Sequence, residues 1–142
     1  MKYKCAYIGG TFDLFHAGHV NFLRRCKDIA DYVVISLNTD KFCAEYKRVP
    51  IYTYAQRREL LKACRYVDSV VENTGGKDSG IAILSVMPDV IIHGDDWTGD
   101  AYLKQLNISE KFLKAIKCEL KYIPYTKGIS SSKIIKLCRK SA

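Results

Sequence analysis

The stretch YIGGTFDLFHAGHVNFL, residues 7–23, decides how this chain is read. An apolar run ends in two glycines and gives way, a few residues later, to apolar positions at helical spacing. Two of the chain's three histidines, His16 and His19, lie three residues apart, with Gly18 just before the second. Three explanations are open: metal ligands, core residues, or the working parts of a reaction. For an isolated pair the core is the ordinary explanation, and a metal lacks a third ligand nearby. A helix start, however, presents unpaired N–H groups and a partial positive charge. Gly18 would let a ligand approach the backbone, and positions i and i+3 share one side of the first turn. Imidazoles placed there could hydrogen-bond a phosphorus transition state without holding a metal.

Outward from this stretch, strand-like and helix-like segments alternate. Residues 3–9 (YKCAYIG), 32–37 (YVVISL), 67–71 (VDSVV), 89–94 (DVIIHG) and 119–123 (ELKYI) read as strands. Helices are expected over 17–30, from the Thr53/Gln56 capping box to about 66, over 81–87 until Pro88 stops it, over 109–117, and from 131 onward. Residues 38–52 read as partly loop and 73–80 as loop. This alternation predicts a single α/β domain over residues 1–142: a doubly wound, Rossmann-like, five-stranded parallel sheet with helices on both faces. Such sheets bind ligands beyond the carboxyl ends of their strands. GGTFDLFHAGH and HGDDW each follow a predicted strand, so both fall on that edge.

Composition narrows the function classes. At 142 residues, 48% of them hydrophobic, the chain can bury a core without staples. No apolar run reaches the roughly 18 residues of a membrane span, and the first residues lack signal-peptide features. A cytoplasmic protein without membrane insertion is expected. The six cysteines form no C-x-x-C pair, which argues against structural zinc and for reduced thiols. The net charge of +8 is lopsided: residues 1–103 hold 13 basic and 13 acidic side chains, residues 104–142 ten basic and two acidic. That field suits nucleic acid, an anionic surface or a polyphosphate, although solvated helix faces would also account for it.

Three further blocks accompany the opening one: RRELLKACRYVD (57–68), HGDDW (93–97) and TKGISSSKI (126–134). With the H-x-G-H stretch, their order and spacing resemble the cytidylyltransferases of the H-x-G-H nucleotidyltransferase superfamily over nearly the whole chain, glycerol-3-phosphate-using members above all. The resemblance implies an enzyme that transfers CMP from CTP to a small phosphorylated alcohol. Attack would be in line on the α-phosphate, with release of pyrophosphate and no covalent enzyme intermediate. Glycerol 3-phosphate is the leading acceptor, followed by phosphoethanolamine, phosphocholine or a phosphonate. An adenylyltransferase of the FAD-forming kind is the rival within enzymes, and a basic nucleic-acid-binding domain the rival outside them. The second explains the charged tail but not H-x-G-H at a strand end, so nucleic acid is not an expected partner.

By the same resemblance, His16 and His19 contact the α- and β-phosphates, Arg65 holds the triphosphate and Lys47 is a catalytic cation. Gly10, Thr11, Phe12, Asp13 and Gly18 form the first nucleotide-binding segment, with Asp13 orienting a lysine or a magnesium ion. Gly94, Asp96 and Trp97 read the nucleoside. Thr126, Gly128, Ile129, Ser130 and Ser131 cradle phosphate. Arg48 and Lys127 belong to the acceptor side, as does Arg57 unless it serves an ordering network instead of phosphate. Magnesium is expected with the nucleotide rather than in a protein cage, and a homodimer is implied. Two departures stand out. Tyr125 replaces the arginine usual in the family, a loss Lys127 could offset. The loop EYKRVP (45–50) offers both Lys47 and Arg48 where a lysine-rich clamp is usual.

Overall fold

The computed structural model describes residues 2–75, 78–94 and 99–141. Five strands, β1 (Tyr3–Gly10), β2 (Ala30–Asn38), β3 (Ser69–Asn73), β4 (Val90–Gly94) and β5 (Glu119–Ile123), form one sheet. Their spatial order is β3-β2-β1-β4-β5 and every adjacent pair is parallel. The helices are α1 (Ala17–Ile29), α2 (Asp40–Tyr46), α3 (Tyr54–Ala63), α4 (Asp78–Val86), α5 (Gly99–Leu106), α6 (Glu110–Ala115) and α7 (Ser131–Ser141). The expected doubly wound α/β fold is therefore the observed one.

Strand alternation explains the two layers. In β1, Ala6 and Ile8 point into a core shared with Phe22, Leu23 and Cys26 of α1 and Leu61 of α3. Tyr7 between them points the other way, toward Ile83 of α4, Tyr102, Leu103 and Leu106 of α5, and Leu113 of α6. A strand buried on both faces must be apolar at every position, as AYI is.

Several boundaries differ from the sequence expectation. Residues 40–46, expected as part loop, form α2: the Thr39 hydroxyl accepts the Phe42 N–H at 3.2 Å and caps a helix too short to show a period. Helix α5 was likewise unforeseen. Helix α3 starts on its Thr53/Gln56 capping box but ends at Ala63, where the chain turns through Cys64 N–H to Leu61 O and Val67 N–H to Cys64 O. Strand β3 accordingly starts two residues later than expected, at Ser69 rather than residue 67, and α4 begins at Asp78 rather than residue 81.

Strand order reverses at the centre of the sheet, between β1 and β4. These two strands pair only through Ala6–Val90 and Tyr7–Ile91. Past that point Gly9 and Gly10 on one side and His93 and Gly94 on the other line a cleft of about 1090 Å³.

Candidate active site

The floor of the cleft is the turn from β1 into α1. Phe12 and Leu14 both take left-handed backbone, with φ of 53° and 49°, an unfavourable state for side chains of their size. Asp13 between them, 3% exposed, holds the turn. Its carboxylate accepts the N–H groups of Leu14 (3.1 Å), Ile51 (2.7 Å) and Tyr52 (3.0 Å) and the Arg48 guanidinium (2.8 Å). Burial pushes its pKa up, but the Tyr52 and Ile51 N–H groups and Arg48 outweigh burial and hold it below the usual carboxylate range.

His16 is the N-cap of α1. Its Nδ1 accepts the Gly18 N–H at 3.0 Å, and its own N–H donates to His19 Nδ1 at 3.1 Å, so the two histidines form a capping box. The rings stack with centroids 3.8 Å apart, and His19 also stacks on Phe15 at 5.4 Å. Gly18 is required here because a Cβ would lie 2.8 Å from His16 Cε1 and 3.1 Å from Ile129 Cγ2. Burial lowers the pKa of His16. Burial first, then the charge of His16, brings His19 down to about 3 against an upward pull from Asp13. Both rings are thus neutral at pH 7. With each Nδ1 occupied as an acceptor, the ring proton sits on Nε2, leaving two N–H donors on rings that line the cleft.

This pair makes stability depend on pH. Between the folded value of about 3 for His19 and its ordinary 6.5, the unfolded chain binds more protons than the folded one. Acidification through that window therefore favours unfolding, and stability rises with pH. The melting temperature is expected to fall as pH is lowered from about 7 to about 4.5 and level off above about 7. The variant His19→Asn should flatten this part of the profile; an unchanged slope would remove His19 as its source. Asp13, with a folded pKa below its ordinary 3.8, adds a separate loss only at still lower pH.

The remaining walls come from α2, the loop after it, and the segment leading into α7. Gly128 turns with φ of +87°. Ser130 Oγ accepts the Lys133 N–H at 3.1 Å, and the Ser131 hydroxyl donates to the Asp13 carbonyl, fastening the start of α7 to the cleft floor. Tyr125 fills the space over Gly94, where a Cβ would lie 1.9 Å from its ring, and packs on Phe22 at 6.0 Å. Thr126, Ile129, Lys47 and Arg48 also line the cleft.

Four expectations change. Of its two expected roles Arg57 takes the ordering one and not the acceptor side: it is 0% exposed, and its guanidinium donates to the carbonyls of Tyr52, Thr11 and Asn38 and to Asp40 Oδ1. It is a structural clamp beneath the cleft. Arg65 is not among the residues lining the cleft: α3 ends at Ala63, and Arg65 is exposed in the turn beyond it. Asp13 orients an arginine, Arg48, rather than a lysine, and its oxygens are already taken by four donors. Lys127 is exposed and outside the cleft lining, whereas Lys133 and Lys136 of α7 line it. Asp96 and Trp97 lie outside the described residues.

Sequence reading missed Asn38, Asn73, Tyr46 and Lys136, all of which line the cleft. Asn38 and Asn73 end β2 and β3, and polar residues ending predicted strands are a usable signal in a parallel sheet. The lysines at 133 and 136 were visible as one helical turn, but nothing in the spacing says which way that turn faces.

A reversal-point cleft in a doubly wound sheet, floored by H-x-G-H at a helix start, defines an enzyme of the nucleotidyltransferase class. The chain belongs to the cytidylyltransferase-like family, which matches residues 7–137. It is 37% identical to the glycerol-3-phosphate cytidylyltransferase of Bacillus subtilis (strain 168) over 125 residues, 88% of this chain and 89% of that protein. It is also 35% identical to the FAD synthase of Pyrococcus abyssi over 130 residues, 91% of this chain and 88% of that one. The solved structure of a lipopolysaccharide core biosynthesis protein from Thermoplasma volcanium shares the fold, with a TM-score of 0.76 and 24% identity over 88% of this chain and 99% of the other.

Proposed function

We propose that the protein transfers CMP from CTP to a small phosphorylated alcohol, with glycerol 3-phosphate as the leading acceptor. An oxygen of the acceptor phosphate attacks the α-phosphorus of CTP; the bond from that phosphorus to the bridging oxygen breaks, and pyrophosphate leaves. The acceptor brings its own anionic nucleophile, so the protein's task is to place two anions together and stabilise the charge that develops. The observation that carries this reading is the stacked, neutral histidine pair, whose two Nε2–H groups are fixed in direction before any ligand arrives. Lys47 on one side and Lys133 and Lys136 on the other supply cations around the cleft.

Magnesium would accompany the nucleotide. Among the described residues no cluster of three or more His, Cys, Asp or Glu side chains could hold a metal. Among the described residues Asp13 is the one carboxylate lining the cleft, and its oxygens are engaged, so no step is assigned to a protein-held ion. Among the described residues no helix is long and apolar enough to cross a membrane. A cytoplasmic homodimer completes the reading.

The likeness to FAD synthase favours a second reading, AMP transfer from ATP to riboflavin phosphate. One screen separates the two: pyrophosphate release from CTP or ATP with glycerol 3-phosphate, phosphoethanolamine, phosphocholine or riboflavin phosphate. CTP with glycerol 3-phosphate is expected to turn over fastest. Turnover confined to ATP and riboflavin phosphate would replace the first reading with the second, and no turnover with any pair would sink both.

Within the first reading, Lys47→Ala and Lys136→Ala should each raise KM for one substrate about tenfold, the scale of a charge-assisted hydrogen bond. Lys127→Ala should stay within about twofold for both, since an exposed charge outside the cleft is screened by solvent. Steady-state kinetics with each substrate varied would check this, and equal losses at 47 and 127 would contradict it.

A further inference from the structure

Behind Thr11 lies a short line of amide groups with a fixed direction. It starts at Gly75, whose φ of +85° and close approach to the Phe42 ring, 2.3 Å from where a Cβ would sit, both require glycine. The Gly75 N–H donates to Asn73 Oδ1 at 3.0 Å. A backbone N–H can only donate, so Asn73 must turn its oxygen toward Gly75 and its nitrogen away. That nitrogen donates to Asn38 Oδ1 at 2.9 Å. Asn38 then presents its own Nδ2 to Thr11 Oγ1 at 3.1 Å and to Tyr46 Oη at 3.3 Å. Both asparagines are nearly enclosed, at 5% and 4% exposure. Turning either amide over would set like groups face to face away from water, which is costly.

The consequence falls on Thr11. Its oxygen already accepts from Asn38, so its hydrogen must point elsewhere. Among the described residues its neighbours are Cys43 Sγ at 3.4 Å, a weak acceptor, and Tyr46 Oη at 3.3 Å, an oxygen that Asn38 also addresses. A phosphate oxygen in the cleft that Thr11 lines is a stronger acceptor than either.

We propose that Asn73 and Asn38 are positioning residues, forming a polarity relay from the Gly75 backbone that commits the Thr11 hydroxyl to donate to an anionic ligand in the cleft. This rests on the nucleotide reading above. The relay means that the donor character of Thr11 is set two residues away, before ligand binds.

Asn73→Asp keeps the shape and still accepts from Gly75, but can no longer donate to Asn38. The Asn38 amide then turns over, offers its oxygen to Thr11 and takes the hydroxyl hydrogen that the ligand would have received. Asn73→Leu removes the same donor without burying a charge. Each variant is made with Thr11 and again with Thr11→Val, folding is checked by thermal melting, and CTP binding is measured by calorimetry alongside kcat and KM. With Thr11 present, either change at 73 should weaken CTP binding or lower kcat/KM by about tenfold. In the Thr11→Val background the same change should cost less than about twofold, because the hydroxyl it acts through is gone. Equal losses in both backgrounds, or none with Thr11 present, would overturn the relay while leaving the nucleotide reading in place. Failure of the unaltered protein to bind CTP or ATP would overturn both.

Discussion

Arg57→Ala is expected to destabilise the fold by about 3–5 kcal/mol, the scale of breaking a buried, hydrogen-bonded charge network. The side chain is 0% exposed, and its guanidinium joins the end of β1 at Thr11 (2.8 Å), the end of β2 at Asn38 (2.9 Å), the loop at Tyr52 (3.1 Å) and the start of α2 at Asp40 (2.7 Å). Removing it leaves three carbonyls without this donor and opens a cavity among them. Arg57→Lys should fail nearly as badly, since a single ammonium cannot reproduce a fork with partners in several directions. For a chain of this length the melting temperature should drop by about 10 °C or more. A folded Arg57→Lys protein of normal stability, with only the acceptor KM raised, would restore the binding role that the sequence suggested.

The second large effect is on rate. Alanine at His16 or His19 is expected to lower kcat by about 10²–10³, the cost of deleting one preorganised donor to a developing charge. The capping box complicates the reading of His16→Ala, which also removes an N-cap and should cost about 1 kcal/mol of stability. His16→Asn separates the two roles. Asparagine can still accept the Gly18 N–H and cap α1, but it has no Nε2–H to offer the cleft. Its melting temperature should stay near that of the parent while kcat remains low. Wild-type turnover in a well-folded His16→Asn enzyme would reduce the histidines to caps.

Much of this was legible because it is local. Alternating apolar strands and 3.6-residue spacing need only near neighbours, so the five strands and α1, α3, α4 and α7 could be placed to within a few residues. The capping box at Thr53 and the glycine beside His16 are likewise readable from adjacent residues. Helices α2, α5 and α6, at 7, 8 and 6 residues, are too short to establish a period, and of these only α6 was expected.

The roles of the charged residues were less legible for a physical reason. Arg57 and Arg65 share a sequence block, yet one is sealed beneath the cleft and the other is exposed beyond the helix end. A pattern of residue types does not record where a helix crosses the sheet. The same holds for Lys127 and Lys136: the first stands beside the phosphate-type segment in sequence but outside the cleft, the second nine residues on and within its lining.

The sequence by itself determined the doubly wound sheet, the edge on which the site lies, and the histidine pair at the opening of α1, because each follows from short-range pattern and chain connectivity. Tertiary structure alone decided which cations face the cleft, that Asp13 is saturated by the loop it anchors, and that Asn38 and Asn73 stand behind Thr11. Those outcomes depend on distances between chain ends of β1, β2 and β3 and on burial that sets the cost of every unpaired group, and neither is written in residue order.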